Sequence, residues 1–322
     1  MRRKFVVDDL RNLSLIIHTI GYPDMGEAIL TMICDGDSVL FTTLTDCYLT
    51  PQCNQVAAIL DEKNVSVDVF IWTHPDKDHS VGIKDILDKY DGGHDAQIFL
   101  PEEFHDKISY EVCQESLNTL KYLKENYNNG KKYNISTVGV TEKETRSLIQ
   151  LQFEEAFGEK SIHCSWQFMA PFCGLTWRQA SKENFVLNDL SIVYSMYFNG
   201  VNFLFGGDLA ERSIKFMDDQ YMQNVHFIKI PHHGSDIDNK AFIRKMQACQ
   251  VENALAVTTS YKSTHPYPQT LESYKKISNE IDCTGDKNHN QCLYGCVKAS
   301  FNICSLAYET DLSGNAFCHY HA

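Results

Sequence analysis

The 322-residue sequence contains no apolar run approaching the roughly 20 residues that a membrane-crossing helix needs, so membrane residence is not expected. Its basic start, Met1-Arg2-Arg3-Lys4, leads only to Phe5-Val6-Val7 before Asp8-Asp9 interrupts it, so a secretory signal is not expected and the cytoplasm is the default. Internal repeats and low-complexity linkers are missing, and a single continuous domain over residues 1–322 is the simplest reading. Basic residues are comparatively scarce, 29 against 42 acidic, for a net charge of −13. That balance argues against a protein that coats itself on nucleic acid by bulk electrostatics. It leaves room for a cleft in which metal ions and a few lysines, Lys77, Lys229 and Lys262 first among them, reverse the local potential. The twelve cysteines lack small-scaffold spacing and read mostly as buried hydrophobes of a reducing compartment. Near the C-terminus Cys283, His289, Cys292 and Cys296 precede Cys318, His319 and His321, but the paired two-residue spacings of a zinc ribbon are absent.

What the sequence does have is concentrated in Trp72-Thr73-His74-Pro75-Asp76-Lys77-Asp78-His79-Ser80, where four groups able to ligate metal fall within six residues. The β-branched and aromatic run Val67–Trp72 before it reads as a buried strand, and Ile83, Ile86, Leu87 and Tyr90 after it fit one face of a helix. In an extended turn, residues two apart point the same way, so His74 and Asp76 can share one ion. Asp78 and His79 face elsewhere and can serve a second. Imidazole and carboxylate together suit Zn²⁺, Mn²⁺ or Fe, each carboxylate moving the preference toward harder ions.

The rest of the chain reads as strands alternating with helices and tight turns. Residues 13–20, 28–33 and 38–44 are expected as strands, the third ending at Asp46, with a short helix over 55–60. Residues 107–128 carry a helical apolar rhythm, and 131–165 read as strand-rich, so segment 100–165 is expected as an insertion over one rim of a cleft that holds substrate choice. Asn199-Gly200 is a strong hairpin signal between strands 191–198 and 201–205, the second running into Gly206-Gly207-Asp208. Strand 225–230 ends at Pro231-His232-His233-Gly234-Ser235, and strand 254–257 leads to His265-Pro266. Strand after strand thus delivers a metal-binding residue at its carboxyl end, which in α/β architectures is where sites form.

This order of motifs resembles the metallo-β-lactamase superfold, an α/β, four-layered αβ/βα sandwich, and within it the C-terminal hydrolase domain of the DNA-internalisation competence protein ComEC. The resemblance rests on 74–79, Asn188-Asp189-Leu190-Ser191, Leu204–Leu209, Lys229–Ser235 and His265-Pro266-Tyr267-Pro268, and it spans a core of about 12–305, leaving 306–322 as a variable tail. It implies two divalent ions, Zn²⁺ or Mn²⁺. His74 and Asp76 correspond to ligands of one, Asp76 replacing the commoner histidine. Asp78 and His79 correspond to ligands of the other, Asp208 to the carboxylate bridging both, and His232 or His233 to the last ligand. Of these two, His232 is preferred because it follows the strand immediately. Asp46 corresponds to an orienting group, Asn188 and Asp189 stand where the family's third-motif histidine would be, and Pro23–Glu27 occupies the altered Gly-Gln-Gly-Asp signature.

Two such ions lower the pKa of a bridging water toward 7 and supply hydroxide at neutral pH. With Asp78, His233 and His265 assisting catalysis, the resemblance implies a hydrolase, expected to cleave phosphodiesters in DNA, another nucleic acid or a nucleotide. It also implies protein partners in antiviral defence or DNA processing. No membrane channel accompanies this chain, so DNA uptake is not the expected role. Hydrolysis of a carboxylic ester, thioester or lactam is the rival enzymatic reading, and a non-catalytic scaffold or sensor subunit the third.

Overall fold

A computed structural model of the chain describes residues 1–23, 25–93, 95–102, 112–128, 133–180 and 186–322. The first half runs β1 (Arg2–Val7), β2 (Leu13–Tyr22), β3 (Gly26–Asp35), β4 (Ser38–Thr45), α1 (Gln55–Lys63), β5 (Val69–Ile71), α2 (Ile83–Tyr90), β6 (Gln97–Pro101), α3 (Gln114–Asn128), β7 (Asn134–Val138), β8 (Arg146–Glu155) and β9 (Ser161–Ala170). The second runs α4 (Cys173–Ala180), β10 (Val193–Phe198), β11 (Val201–Phe205), α5 (Glu211–Ile214), β12 (Val225–Lys229), α6 (Asp236–Ala248), β13 (Ala254–Thr258), α7 (Pro268–Tyr274), β14 (Ser278–Cys283), β15 (Gly295–Asn302), β16 (Tyr308–Gly314) and β17 (Phe317–His321).

These strands form two sheets, β16-β15-β2-β3-β4-β5-β6-β7 and β1-β8-β9-β10-β11-β12-β13-β14-β17. The apolar residues divide into three layers that explain the stacking. Leu15, Ile17, Phe41 and Ile71 of the first sheet pack against Phe153, Trp166, Tyr194 and Phe205 of the second. The other face of the first sheet is covered by Ile59 and Leu60 of α1, Ile83 and Leu87 of α2, and Leu123 of α3. The other face of the second is covered by Phe242 and Met246 of α6 and Leu271 and Tyr274 of α7. The result is helix, sheet, sheet, helix, the four-layered αβ/βα sandwich expected from the motif order. Central strands are buried on both faces, which is why they read as near-continuous apolar runs. β8 shows the other pattern, alternating Ile149, Leu151 and Phe153 inward with half-exposed Gln150, Gln152 and Glu154.

Local turn and cap chemistry sets several element ends. Asn199 and Gly200 both take positive φ, 44° and 102°, in the two-residue turn between β10 and β11. The side chain of Asn54 caps α1 by accepting from the Ala57 amide, and Asn64 closes the helix in the left-handed conformation. The helix expected over 107–128 is described from Gln114 onward, and residues 103–111 lie outside the described residues.

Two segments differ from expectation. In 100–165, expected as an insertion over the rim, β7 is an edge strand of one sheet and β8 and β9 are members of the other. In 306–322, expected as a variable tail, β16 and β17 close one edge of each sheet. β8 pairs with β1, Arg2 standing opposite Gln150, while β7 pairs with β6, β16 with β15 and β17 with β14. Which strand is taken as neighbour decides both cases, and local composition carries no record of it.

Candidate metal centre

The carboxyl ends of β4 and β5 in one sheet and of β11, β12 and β13 in the other meet at one edge of the sandwich. β4 ends at Asp46, held at φ 56° with its amide donating to the Ile71 carbonyl. After β5 the chain passes through His74 and Asp76 into a single 3-10 turn, Lys77–His79, so that Asp78 and His79 turn inward and are buried. β11 runs into Gly206-Gly207-Asp208. Gly207 takes φ +48°, and a Cβ there would lie 2.4 Å from Ser191 Oγ and 2.9 Å from the Ile192 carbonyl, so only glycine lets Asp208 approach this closely. The Asp208 amide is fixed by the Ser191 hydroxyl, 2.8 Å away. β12 delivers His232 and His233, both at φ 48°.

Four imidazoles converge on Asp208. Its Oδ2 faces His74 Nε2 and His232 Nε2, each at 3.8 Å, and His74 Nε2 is also 3.4 Å from Asp76 Oδ2. Its Oδ1 faces His79 Nε2 at 3.5 Å and His233 Nε2 at 3.9 Å, and Asp78 Oδ2 lies 3.5 Å and 3.1 Å from those same two nitrogens. One carboxylate therefore looks into two donor sets, His74/Asp76/His232 on one side and Asp78/His79/His233 on the other.

In every one of the four rings the other nitrogen, Nδ1, is anchored. His79 Nδ1 donates to Asp46 Oδ2 at 2.8 Å, and His232 Nδ1 to Asp238 Oδ2 at 2.8 Å. The Thr73 hydroxyl donates to Asp46 Oδ2, 2.6 Å away, and so accepts from His74 Nδ1 at 3.0 Å. The Thr259 hydroxyl donates to Glu27 Oε2 and accepts from His233 Nδ1 at 2.8 Å. Such anchoring fixes the tautomer that leaves Nε2 as the free lone pair, as in metal-ligating histidines. His74 Nε2, His79 Nε2 and Asp208 Oδ1 are buried without a hydrogen-bond partner. Buried polar atoms left this way are costly unless something binds them, and donor type, tautomer and direction all fit divalent cations.

Electrostatics tell the same story. Burial alone would push His79 down, but the carboxylates of Asp208, Asp78 and Asp46 outweigh it and hold the imidazole well above its ordinary value. Burial alone would raise Asp208, yet the surrounding His79, His233 and His232 hold it well below the usual carboxylate range. Asp78 is lowered in the same way, chiefly by His79 and His233. Each group is tuned to the charge of its neighbours, the condition in which a cation can replace protons.

His232 makes that exchange measurable. Despite burial, Asp208 and Asp238 raise its pKa from 6.5 to about 9. A raised imidazole pKa stabilises the metal-free fold fully below the unfolded value of 6.5, and that contribution is lost as pH rises through 9. Ligation needs the neutral ring, so apparent metal affinity is expected to climb with pH up to about 9. In an NMR titration of the metal-free protein, His232 is expected to titrate near pH 9, and in Asp238→Asn nearer its ordinary value. An unchanged midpoint in the variant would show that Asp238 does not anchor the ring.

Of the residues singled out from sequence, His74, Asp76, Asp78, His79, Asp208, His232 and His233 are gathered here, with Asp46 behind them. The reason given for preferring His232 over His233, its position next to the strand, does not separate them, because the left-handed backbone at both turns one imidazole to each donor set. Asn188 Nδ2 lies 3.5 Å from His232 Nδ1, whereas Asp189 pairs with Arg212. His265 stands one ring farther out, its centroid 6.1 Å from that of His232, and burial together with the positive charge of His233 and His232 lowers its pKa. Tyr261 stacks on His233 at 4.7 Å and carries Lys262 Nζ 4.5 Å above its ring. Lys77 turns outward to Glu115.

Glu27, Thr259 and Asp238 were not assigned from the sequence, and Lys229 only as a lysine to examine. Glu27 and Lys229 are fully buried and paired at 2.8 Å beneath His233. The one local signal for them was a lysine ending the apolar strand Val225–Ile230, since a lysine so buried needs a counter-charge.

No family model matches the chain, and no curated protein matches it. Among solved structures it is similar to the metallo-beta-lactamase fold protein YhfI from Bacillus subtilis, at 10% identity and TM-score 0.44 over 84% of this chain and 95% of that one. It is also similar to a long form RNase Z from yeast, at 13% identity and TM-score 0.37 over 84% of this chain and 37% of that one. Among the described residues no helix is long and apolar enough to cross a membrane. The architecture is that of an α/β sandwich of two large sheets whose shared edge carries a buried His/Asp cluster.

Proposed function

We propose that the chain is a metal-dependent hydrolase with a dinuclear centre, cleaving phosphodiesters in nucleic acid or a nucleotide, in DNA processing or phage defence. The observation that carries this reading is the Asp208 carboxylate, each oxygen facing its own pair of Nε2 atoms. His74, Asp76, Asp208 and His232 would hold one ion, and Asp78, His79, Asp208 and His233 the other. When bound, such ions supply an activated water and Lewis acidity toward a phosphoryl or carbonyl oxygen.

The remaining work falls to the chain itself. Asp46, Asp238, Thr73 and Thr259 hold the imidazoles in one tautomer, so no reorganisation accompanies the reaction. His265, next to His232, is placed to hold a proton for the leaving group. Lys262 on the Tyr261 ring offers a cation at the rim for an anionic substrate. Three carboxylates in the centre, Asp76, Asp78 and Asp208, favour harder ions such as Mn²⁺, and the motif set resembling the ComEC hydrolase domain points to phosphodiesters.

Incubating the purified protein with Mn²⁺ or Zn²⁺ and single- and double-stranded DNA, RNA and cyclic dinucleotides should give metal-dependent cleavage of at least one, abolished by chelation. Turnover of acyl esters or nitrocefin with none of these cleaved would replace the phosphodiester reading with the acyl one.

A further inference from the structure

A second group of metal-binding side chains lies on β14 and β17, which close one edge of the nine-stranded sheet. Glu280 and Asp282, two apart on β14, point to the same face, while Ile281 and Cys283 between and beyond them pack into the helix-side core. In the antiparallel pairing His321 stands opposite Glu280. The register then slips between Ile281 and Asp282, so that Cys318, rather than His319, stands opposite Asp282. Ligand atoms of Glu280, Asp282 and Cys318 all lie within 4.8 Å of one another, and His321 Nδ1 is 3.4 Å from Glu280 Oε2. Glu280, Cys318 and His321 line a pocket of about 420 Å³, so an ion can enter from their side, with Asp282 behind them.

Glu280 is already positioned from the facing sheet, its carboxylate accepting from Thr310 Oγ1 at 2.9 Å and from the Tyr308 hydroxyl at 3.1 Å. Asp282 is not. Its side chain is fully buried, both carboxylate oxygens lack a hydrogen-bond partner, and among the described residues no lysine, arginine or histidine pairs with it. Two carboxylates facing each other in a buried setting need a cation or a shared proton between them. A thiol within the group, with the His321 imidazole beside Glu280 as a neighbour able to join it, favours the cation, since zinc takes thiolate, carboxylate and imidazole donors.

We propose that Glu280, Asp282, Cys318 and His321 form a second metal site, distinct from the Asp208 centre, which takes a zinc-class divalent cation and fastens β17 to β14. This site does not depend on the hydrolase reading, and its chemistry makes it separable, because no cysteine belongs to the Asp208 cluster. The cobalt(II)-loaded protein should show a near-ultraviolet thiolate-to-cobalt charge-transfer band. The band should persist in Asp208→Ala, vanish in Cys318→Ser and weaken or vanish in Asp282→Asn, with Cys318→Ser keeping full hydrolytic activity. In the unmodified protein zinc should also shield Cys318 from alkylation, read by peptide mass mapping, which keeps the test open if a variant fails to fold. Absence of both the band and the shielding at saturating metal would mean that the carboxyl pair shares only a proton, and would overturn the proposal. A band unchanged in Cys318→Ser would assign the thiolate to another cysteine and overturn it equally.

Discussion

Replacing Asp208 by alanine is expected to remove both metal ions and to lower turnover by about 10³-fold or more. The expectation follows from geometry, since among the described residues no other side chain faces both donor sets. His74, Asp76 and His232 would be left on one side and Asp78, His79 and His233 on the other, three ligands each and no bridge. A metal centre supplies several kcal/mol of transition-state stabilisation, and each 1.36 kcal/mol is tenfold in rate, which sets the size of the loss. The control is the pair Asp78→Ala and His232→Ala, each expected to lose about one ion of the two while keeping the other. Metal content by mass spectrometry with turnover on the same preparations, each variant made in the Cys318→Ser background so that the β14–β17 group adds no ion, separates the cases. If Asp208→Ala keeps two ions and full turnover, the bridging assignment fails, and with it the dinuclear hydrolase.

The second large effect is on stability. Lys229→Met should destabilise the fold by about 3–5 kcal/mol, because it strands the Glu27 carboxylate in a buried setting without its cation. Glu27 and Lys229 are both fully buried and 2.8 Å apart. Glu27→Gln should cost a similar amount by stranding the ammonium. The double variant should lose clearly less than the sum, since neither charge is then left unpaired. Urea unfolding of the metal-free proteins at neutral pH gives all three values, and strict additivity would show that the pair does not act as a unit.

Acid titration checks the same pair independently. Burial would raise Glu27, but Lys229, His233 and His79 overcome it and bring its pKa from 4.5 down to about 2. A depressed carboxyl pKa contributes stability that is complete above pH 4.5 and lost as pH falls through 2. The unmodified protein should therefore lose stability in that window more steeply than Glu27→Gln.

These two predictions draw on residues of different legibility. Asp208 could be read from its place after a strand and two glycines, and His74–His79 from density alone, because metal chemistry selects few residue types and strand ends set where they go. Glu27 was read only as the last residue of the altered signature Pro23–Glu27. Its role depends on Lys229, Thr259 and His233, each more than 200 residues away in the chain, and no local pattern encodes such a meeting. His232 and His233 show the same limit at close range, for adjacency to a strand predicted one ligand, while the left-handed backbone at both sends one ring to each side of Asp208.

The four-layered sandwich was implied only by the resemblance that the motifs carry. By itself the sequence determined the strand and helix alternation of an α/β chain, the strand ends that carry the candidate ligands, and the separation of His74/Asp76 from Asp78/His79. Those properties follow from periodicities of two and 3.6 residues and from turn chemistry, all written within short windows. Only the tertiary structure decided that the strands of 134–170 and 308–321 complete the sheets, that Glu27 and Lys229 lie under the centre, and that a one-residue register slip sets Cys318 against Asp282. Those depend on which distant strands pair and in what register, a choice made by burying both faces of each sheet at once.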